Sequence, residues 1–497
     1  MNDKVLIHRL ATGVPGLDSV LGGGLPEFSF NLITGPPGSG KTTLAHQLMF
    51  ALAGPDRPAL FFTMLGEPPL KVLRYQQQFS FYDPDRVNAG IRYVNLGEEA
   101  ATGRFDQVLA GIMQAVADSS PALVFIDSFL SILPEPGAPS AQALDAHQFI
   151  QQLGVLLSSW RITSFLFGEW SSDREPPPIS SIADGLLALS QSVYRNAMVR
   201  KLQVLKLRGQ ASSPGIHTFR MTGAGIQVFP ATVPSSPAGA GAALPESRQR
   251  LAMGVPGLDA MLGGGLPAGY SLLVAGPSGS GKTLLATAFL AEGVRRGEPG
   301  VLVAFEQTPS QSWDPTINRL VESGQLGLIN TRLLDLSIDE IVQQLTDLIQ
   351  RLRATRVVID SLSGFELAVA PTFREDFRES LFRMVSVLAG LGVTVLMTSE
   401  LEDRYTDLRF SSYGSAFLTD AIIVQRYIEV RSCLKRVLAV VKVRASAHSD
   451  ELRQYAISDL GILIGGPMPD YEGLLGGHPT RKPEAGDRMA ELPDGAR

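Results

Sequence analysis

The chain has 497 residues, 44% hydrophobic and 19% charged, the balance of a globular protein too long for one compact core. Its 43 Lys+Arg against 49 Asp+Glu leave a net charge of −6; such a surface does not attract polyanions in general, and no basic run offers DNA or RNA a local patch. The single cysteine, Cys433, excludes an intrachain disulfide and a Cys-based metal cluster; beside Leu434 and near a predicted strand, its expected role is structural.

Along the chain, Met1 to Leu10 is charged and lacks the apolar core of a signal peptide. No apolar run approaches the roughly 20 residues needed to span a bilayer, so the cytoplasm is the expected location and no membrane partner is expected. Next comes Thr12-Gly13-Val14-Pro15-Gly16-Leu17-Asp18, followed by a Leu-Gly-Gly-Gly-Leu-Pro run from Leu21 to Pro26. Apolar strand candidates then fall at Phe30 to Thr34, Ala59 to Thr63, Ala122 to Ile126 and Ser164 to Phe167, with helical spacing between them. That alternation predicts an α/β domain with a mostly parallel sheet flanked by helices. The run Leu202 to Leu207 leaves little room for further helices and predicts added antiparallel strands.

Pro230 to Arg250, rich in Pro, Ala, Gly and Ser, has no apolar periodicity and predicts a linker. Beyond it the opening motif returns as Met253-Gly254-Val255-Pro256-Gly257-Leu258-Asp259, again continuing into Leu-Gly-Gly-Gly-Leu-Pro, at Leu262 to Pro267. A repeat this long is a duplicated domain. The second copy ends in the strand-like run Val437 to Val443. The expected organisation is a first domain over 1–230, a linker over 231–250, a second domain over 251–465 and a disordered tail over 466–497.

Each copy carries a phosphate loop. Gly35-Pro36-Pro37-Gly38-Ser39-Gly40-Lys41-Thr42 and Gly276-Pro277-Ser278-Gly279-Ser280-Gly281-Lys282-Thr283 both match G-x-x-x-x-G-K-[ST], and the two lysines keep the offset of Asp18 and Asp259. The glycines let backbone N–H groups converge on phosphate, and the following helix, through Thr43 and Leu284, adds its positive dipole end. Lys41 and Lys282 would reach the β/γ-phosphates of ATP, and the Thr42 and Thr283 hydroxyls would hold Mg²⁺. An isolated match could be a glycine-rich turn before a helix; two matches in register argue against that. The second metal anchor is expected from Asp127 and Asp360, each ending an apolar strand. An Asp there can also cap the next helix, but the phosphate loop upstream favours the metal.

The opening motif, the loops, the Ile-Asp-Ser strands, Val204 to Gly209 and Thr419-Asp420-Ala421-Ile422-Ile423 together resemble the KaiC family, tandem RecA-fold ATPases related to RadA and RecA, from about Leu6 to Gly465. The resemblance implies a self-assembled ring, expected to be a hexamer, with nucleotide between subunits. It also implies that a Lys-x-Arg pair of the neighbouring subunit faces the γ-phosphate. Here the pairs are Lys206/Arg208 and Lys442/Arg444; side chains two apart on a strand share a face. Without the resemblance a solvated charged edge would be the preferred reading.

Hydrolysis needs a carboxylate to orient or deprotonate water, which the family supplies as a Glu pair after the second strand. The second copy keeps Glu306 beside Gln307. With Pro68 set against Pro309, the first copy has Leu65 and Gly66 at the pair, with Glu67 next. Glu67 fits either a water-orienting group or an exposed loop residue, so hydrolysis is expected in the second half and is open in the first. The family's adjacent phosphoacceptors, placed by Thr419-Asp420, fall on Ala416-Phe417. Both hydroxyls are gone, leaving Ser411, Ser412, Ser415 and Thr419 nearby without motif support. Ala445 replaces the Gly expected after the second Lys-x-Arg, and Glu169 and Glu400 end strands at a sensing position or simply cap helices. The leading expectation is a regulatory or signalling ring ATPase with an unidentified protein partner. A Ser/Thr (auto)kinase, a DNA-dependent motor and a non-hydrolysing switch are the alternatives.

Overall fold

The computed structural model describes residues 7–481 except 65–68, 102–103, 130–139, 171–178, 195–196, 232–248, 306–314, 331–336, 370–376, 402–417, 431, 460, 470 and 473–479. The chain divides into two units, Met1–Ala231 and Thr232–Arg497.

The first unit is built on a nine-stranded sheet. Phe30–Thr34 lies between the parallel strands Thr163–Gly168 and Gly185–Tyr194. Beyond Thr163–Gly168, parallel pairing continues through Leu123–Asp127 and Ala59–Thr63 to Ile91–Asn95. On the other side Ala197–Leu207, Ile216–Thr222 and Gly225–Phe229 add antiparallel strands. The second unit repeats the order around Ser271–Gly276, with Thr394–Glu400 and Ala421–Val430 as its parallel neighbours and Cys433–Val443, Arg453–Ser458 and Gly461–Pro467 as antiparallel additions. Two tandem RecA-like α/β domains result. Central strands such as Phe30–Thr34 and Ala59–Thr63 are apolar without alternation because helices cover both sheet faces. One core cluster lies on each face.

The opening motif is a clasp. Asp18 Oδ1 accepts from Thr12 N at 2.9 Å and Thr12 Oγ1 at 2.7 Å, and Asp259 Oδ1 accepts from Met253 N at 2.6 Å. Burial raises the Asp259 pKa, opposed by its backbone donors. Gly16 has φ +80°, and a Cβ there would meet Val228 O at 1.9 Å, so the turn fits only glycine. The motif locks the incoming chain onto its domain and places no atom at the phosphate loop.

Two expectations change. Cys433 is exposed, at the first residue of its strand, and takes no part in the buried core. The last long strand runs to Pro467, and Tyr471–Glu472 pairs with Thr480–Arg481; these residues were expected in an unstructured tail. Among the described residues no helix is long and apolar enough to cross a membrane.

Candidate functional site

Both phosphate loops leave the carboxyl end of the central strand and run into a helix, Lys41–Leu52 or Lys282–Arg295. Gly40 and Gly281 cap these helices with φ 101° and 97°, a left-handed turn that side chains resist. The helix N-terminus thereby faces the loop with unpaired N–H groups, a ready cradle for phosphate oxygens. Lys41 Nζ donates to the Gly35 and Pro36 carbonyls at 2.9 and 3.0 Å, and Lys282 Nζ to those of Gly276 and Pro277 at 2.9 and 2.8 Å. Burial lowers the Lys41 pKa, while the charges of Glu169 and Asp127 oppose that shift. The second loop opens on a cavity of about 360 Å³ that also touches Asp360, Ser361 and Glu400.

At each site the expected metal anchors meet. Thr42 Oγ1 donates to Asp127 Oδ2 at 2.8 Å, and Thr283 Oγ1 to Asp360 Oδ2 at 2.7 Å. A hydroxyl beside a carboxylate is a hard oxygen pair of the kind Mg²⁺ takes. The peptide bond after each Asp, to Ser128 and Ser361, is cis. Among the described residues no group of three or more His, Cys, Asp or Glu could hold a metal.

Behind this shared frame the two sites differ, in ways not anticipated from the sequence. Thr398 Oγ1 donates to the second oxygen of Asp360, Oδ1. The matching residue in the first domain is Phe167, since Ile359 pairs with Met397 as Ile126 pairs with Leu166. Ser280 Oγ donates to Gln425 Oε1 at 3.1 Å, and Tyr455 Oη donates to the Ser280 carbonyl at 2.6 Å. Strand register places Leu189 and Phe219 at those two positions in the first domain, where the buried Ser39 hydroxyl has no hydrogen-bond partner. The first loop's helix rests instead on aromatic rings. His46 packs on Phe61 at 4.5 Å, and Phe61 on Tyr93 at 5.4 Å. Burial lowers the His46 pKa to about 4 despite its bond to the Thr42 carbonyl. These pairs become visible only when the two copies are set against each other through sheet register, because the duplication offset changes after the phosphate loop.

The Lys-x-Arg pairs lie at the opposite end of the strands from the phosphate loops. Arg208 bridges to Asp184 at 3.3 Å, and Asp184 accepts from Phe30 N at 3.0 Å, at the start of the central strand. Arg444 bridges to Asp420 at 3.1 Å, and Asp420 accepts from Ser271 N at 3.0 Å. Five strand residues at ~3.3 Å each put the pair roughly 16 Å from its own loop. Lys206 Nζ donates to the Ser180 and Ser181 carbonyls, and Lys442 Nζ to that of Thr419. Burial lowers both lysine pKa values and the neighbouring arginine lowers them further, against Asp184 or Asp420. A register shift immediately follows each lysine's partner on the neighbouring strand, between Leu186/Leu187 and Ile422/Ile423. Such bulges re-aim side chains at a sheet edge.

Glu67 and Glu306 lie outside the described residues, as do Leu65, Gly66, Gln307, Ser411, Ser412, Ser415, Ala416 and Phe417. Thr419 is fully buried.

The family model described as "ATPase: KaiC" matches residues 10–233 and again 251–468. The chain is 27% identical over 500 residues to the circadian clock oscillator protein KaiC of Picosynechococcus sp., covering 98% of this chain and 95% of that protein. It is 26% identical over 489 residues to KaiC of Rippkaea orientalis, covering 96% and 92%. Against the circadian clock oscillator protein KaiC 1 of Synechocystis sp. it is 27% identical over 490 residues, again covering 96% and 92%.

Proposed function

The chain belongs to the KaiC ATPase family, and from that premise we propose that it is a regulatory ring ATPase that binds ATP with Mg²⁺ at both loops and hydrolyses it chiefly at the second. The observation that carries this is the hydroxyl–carboxylate pair beside each loop, Thr42 with Asp127 and Thr283 with Asp360. Its oxygens suit Mg²⁺, which when bound offsets the charge that builds on the β/γ-phosphate oxygens. The residues Gly35, Gly38, Ser39, Gly40 and Thr43, with Gly276, Gly279, Ser280, Gly281 and Leu284, cradle phosphate through the loop and first helical turn. Lys41 and Lys282 turn from loop carbonyls to the β/γ-phosphates. At the second site Glu306 holds the attacking water and accepts its proton.

The position of Lys206/Arg208 and Lys442/Arg444, at the strand ends away from the loops, supports their use in trans. Each is too far from its own loop, so a neighbouring copy presents them to the γ-phosphate, in a ring of six as is usual in this family. The relatives are named as circadian clock proteins. A clock-type autokinase fits this chain poorly, because Ala416 and Phe417 carry no hydroxyl and Thr419 is buried. Regulation through nucleotide state, read by a partner protein in the cytoplasm, fits better.

The test measures ATP turnover after changing Lys41 and Lys282 separately, alongside molecular mass with and without ATP. Loss of turnover with Lys282→Ala, retention with Lys41→Ala and a nucleotide-dependent mass near six chains are expected. Equal loss from both variants overturns the division of labour, and a monomer at all nucleotide levels overturns the ring.

A further inference from the structure

Each metal-anchoring carboxylate sits opposite one residue of the neighbouring parallel strand, and that residue differs between the copies. In the second domain it is Thr398, fully buried, whose hydroxyl donates to Asp360 Oδ1 while Thr283 donates to Oδ2. A carboxylate held through both oxygens cannot rotate about its last bond without breaking a buried hydrogen bond. In the first domain the facing residue is Phe167, also fully buried, which has no polar hydrogen to donate to Asp127.

We propose that Thr398 is a positioning residue that pre-orients Asp360 for Mg²⁺ and so tightens metal binding at the second site. The hydroxyl fixes the carboxylate plane, and the lone pairs of Oδ2 face the Thr283 hydroxyl and the place beside the phosphate loop. A carboxylate already oriented by Thr398 would lose less freedom on holding Mg²⁺, which is how outer contacts raise metal affinity. Thr398 would touch neither nucleotide nor metal. The proposal rests on Asp360 being the metal-holding carboxylate.

The experiment uses the full chain with Lys41→Ala, to leave nucleotide at the second site only. A fluorescent ATP analogue is bound first in EDTA and then across a Mg²⁺ titration. Thr398→Val, equal in shape but without the hydroxyl, should leave binding in EDTA unchanged and raise the half-saturating Mg²⁺ concentration about ten- to a hundredfold, in line with outer-contact effects. Thr398→Ala should shift it the same way, and Thr398→Ser should restore it to within about twofold. An unchanged half-point in Thr398→Val, or equal weakening in EDTA, overturns the positioning role. If Asp360→Asn keeps the wild-type Mg²⁺ dependence, the assignment of Asp360 itself fails, a result distinct from failure of the Thr398 variants alone.

Discussion

The two phosphate sites share a backbone and differ in what stands behind it. Both have the left-handed glycine cap, the lysine folded onto loop carbonyls and the Thr–Asp pair. Around the second, Thr398, Gln425 and Tyr455 supply hydrogen bonds to the metal-site carboxylate and to the loop. Around the first, Phe167, Leu189 and Phe219 stand in their places, and His46 and Phe61 form an aromatic floor. Duplication has kept the geometry that binds phosphate and released the polar groups that tune it. Binding and turnover can therefore part company within one chain.

The sharpest way to break this comparison is at the Lys-x-Arg pairs. Arg444→Ala should lower ATP turnover about 10³-fold or more, the range seen for arginine fingers, with nucleotide affinity little changed. Arg208→Ala should barely move the total rate. Steady-state turnover of both variants checks this, and a larger loss from Arg208→Ala would reverse the roles of the halves. Glu306→Gln should cost about 10²–10⁴ in the same assay through loss of the general base; Glu67→Gln should not.

A third prediction concerns acid. His46, buried and held near pKa 4 against an ordinary 6.5, is neutral in the folded first domain. Its depressed folded value means the stability is fully present above pH 6.5 and is lost as pH falls from there towards 4, by roughly 3 kcal/mol at most. Urea unfolding at pH 7 and pH 5 should show a loss in the wild type that His46→Leu largely removes. The second domain has Thr287 at this position; identical pH responses in both proteins would dismiss His46 as the cause.

The smallest effect is at Tyr455. Tyr455→Phe copies the first domain's Phe219 and removes the bond to the Ser280 carbonyl, which should cost about 1 kcal/mol. A urea midpoint that does not move would mean that the hydroxyl contributes nothing net.

Much of this was legible from sequence because it depends on local chemistry. Between a strand and a helix, G-x-x-x-x-G-K-[ST] fixes a backbone path, so both loops could be placed to the residue. Apolar runs without alternation located the central strands to within a residue or two. The backing residues were illegible for the opposite reason. Thr398 sits opposite Asp360 only through pairing between strands distant in sequence, and nothing near either residue reports it. Cys433 misled because a strand edge and a strand interior look alike in a short apolar window.

On the proposed use of Arg208 and Arg444 in trans, concentration becomes part of the chemistry. A lone chain would keep its arginine roughly 16 Å from its own loop, so whatever it hydrolyses, it hydrolyses without that cation. Activity per chain should then climb on concentrating the protein and collapse on dilution. One subunit lacking Arg444 would silence its neighbour's site while leaving its own intact. The working unit would be the seam between two copies, and any factor that loosens or closes that seam would act as an inhibitor or activator without touching a nucleotide.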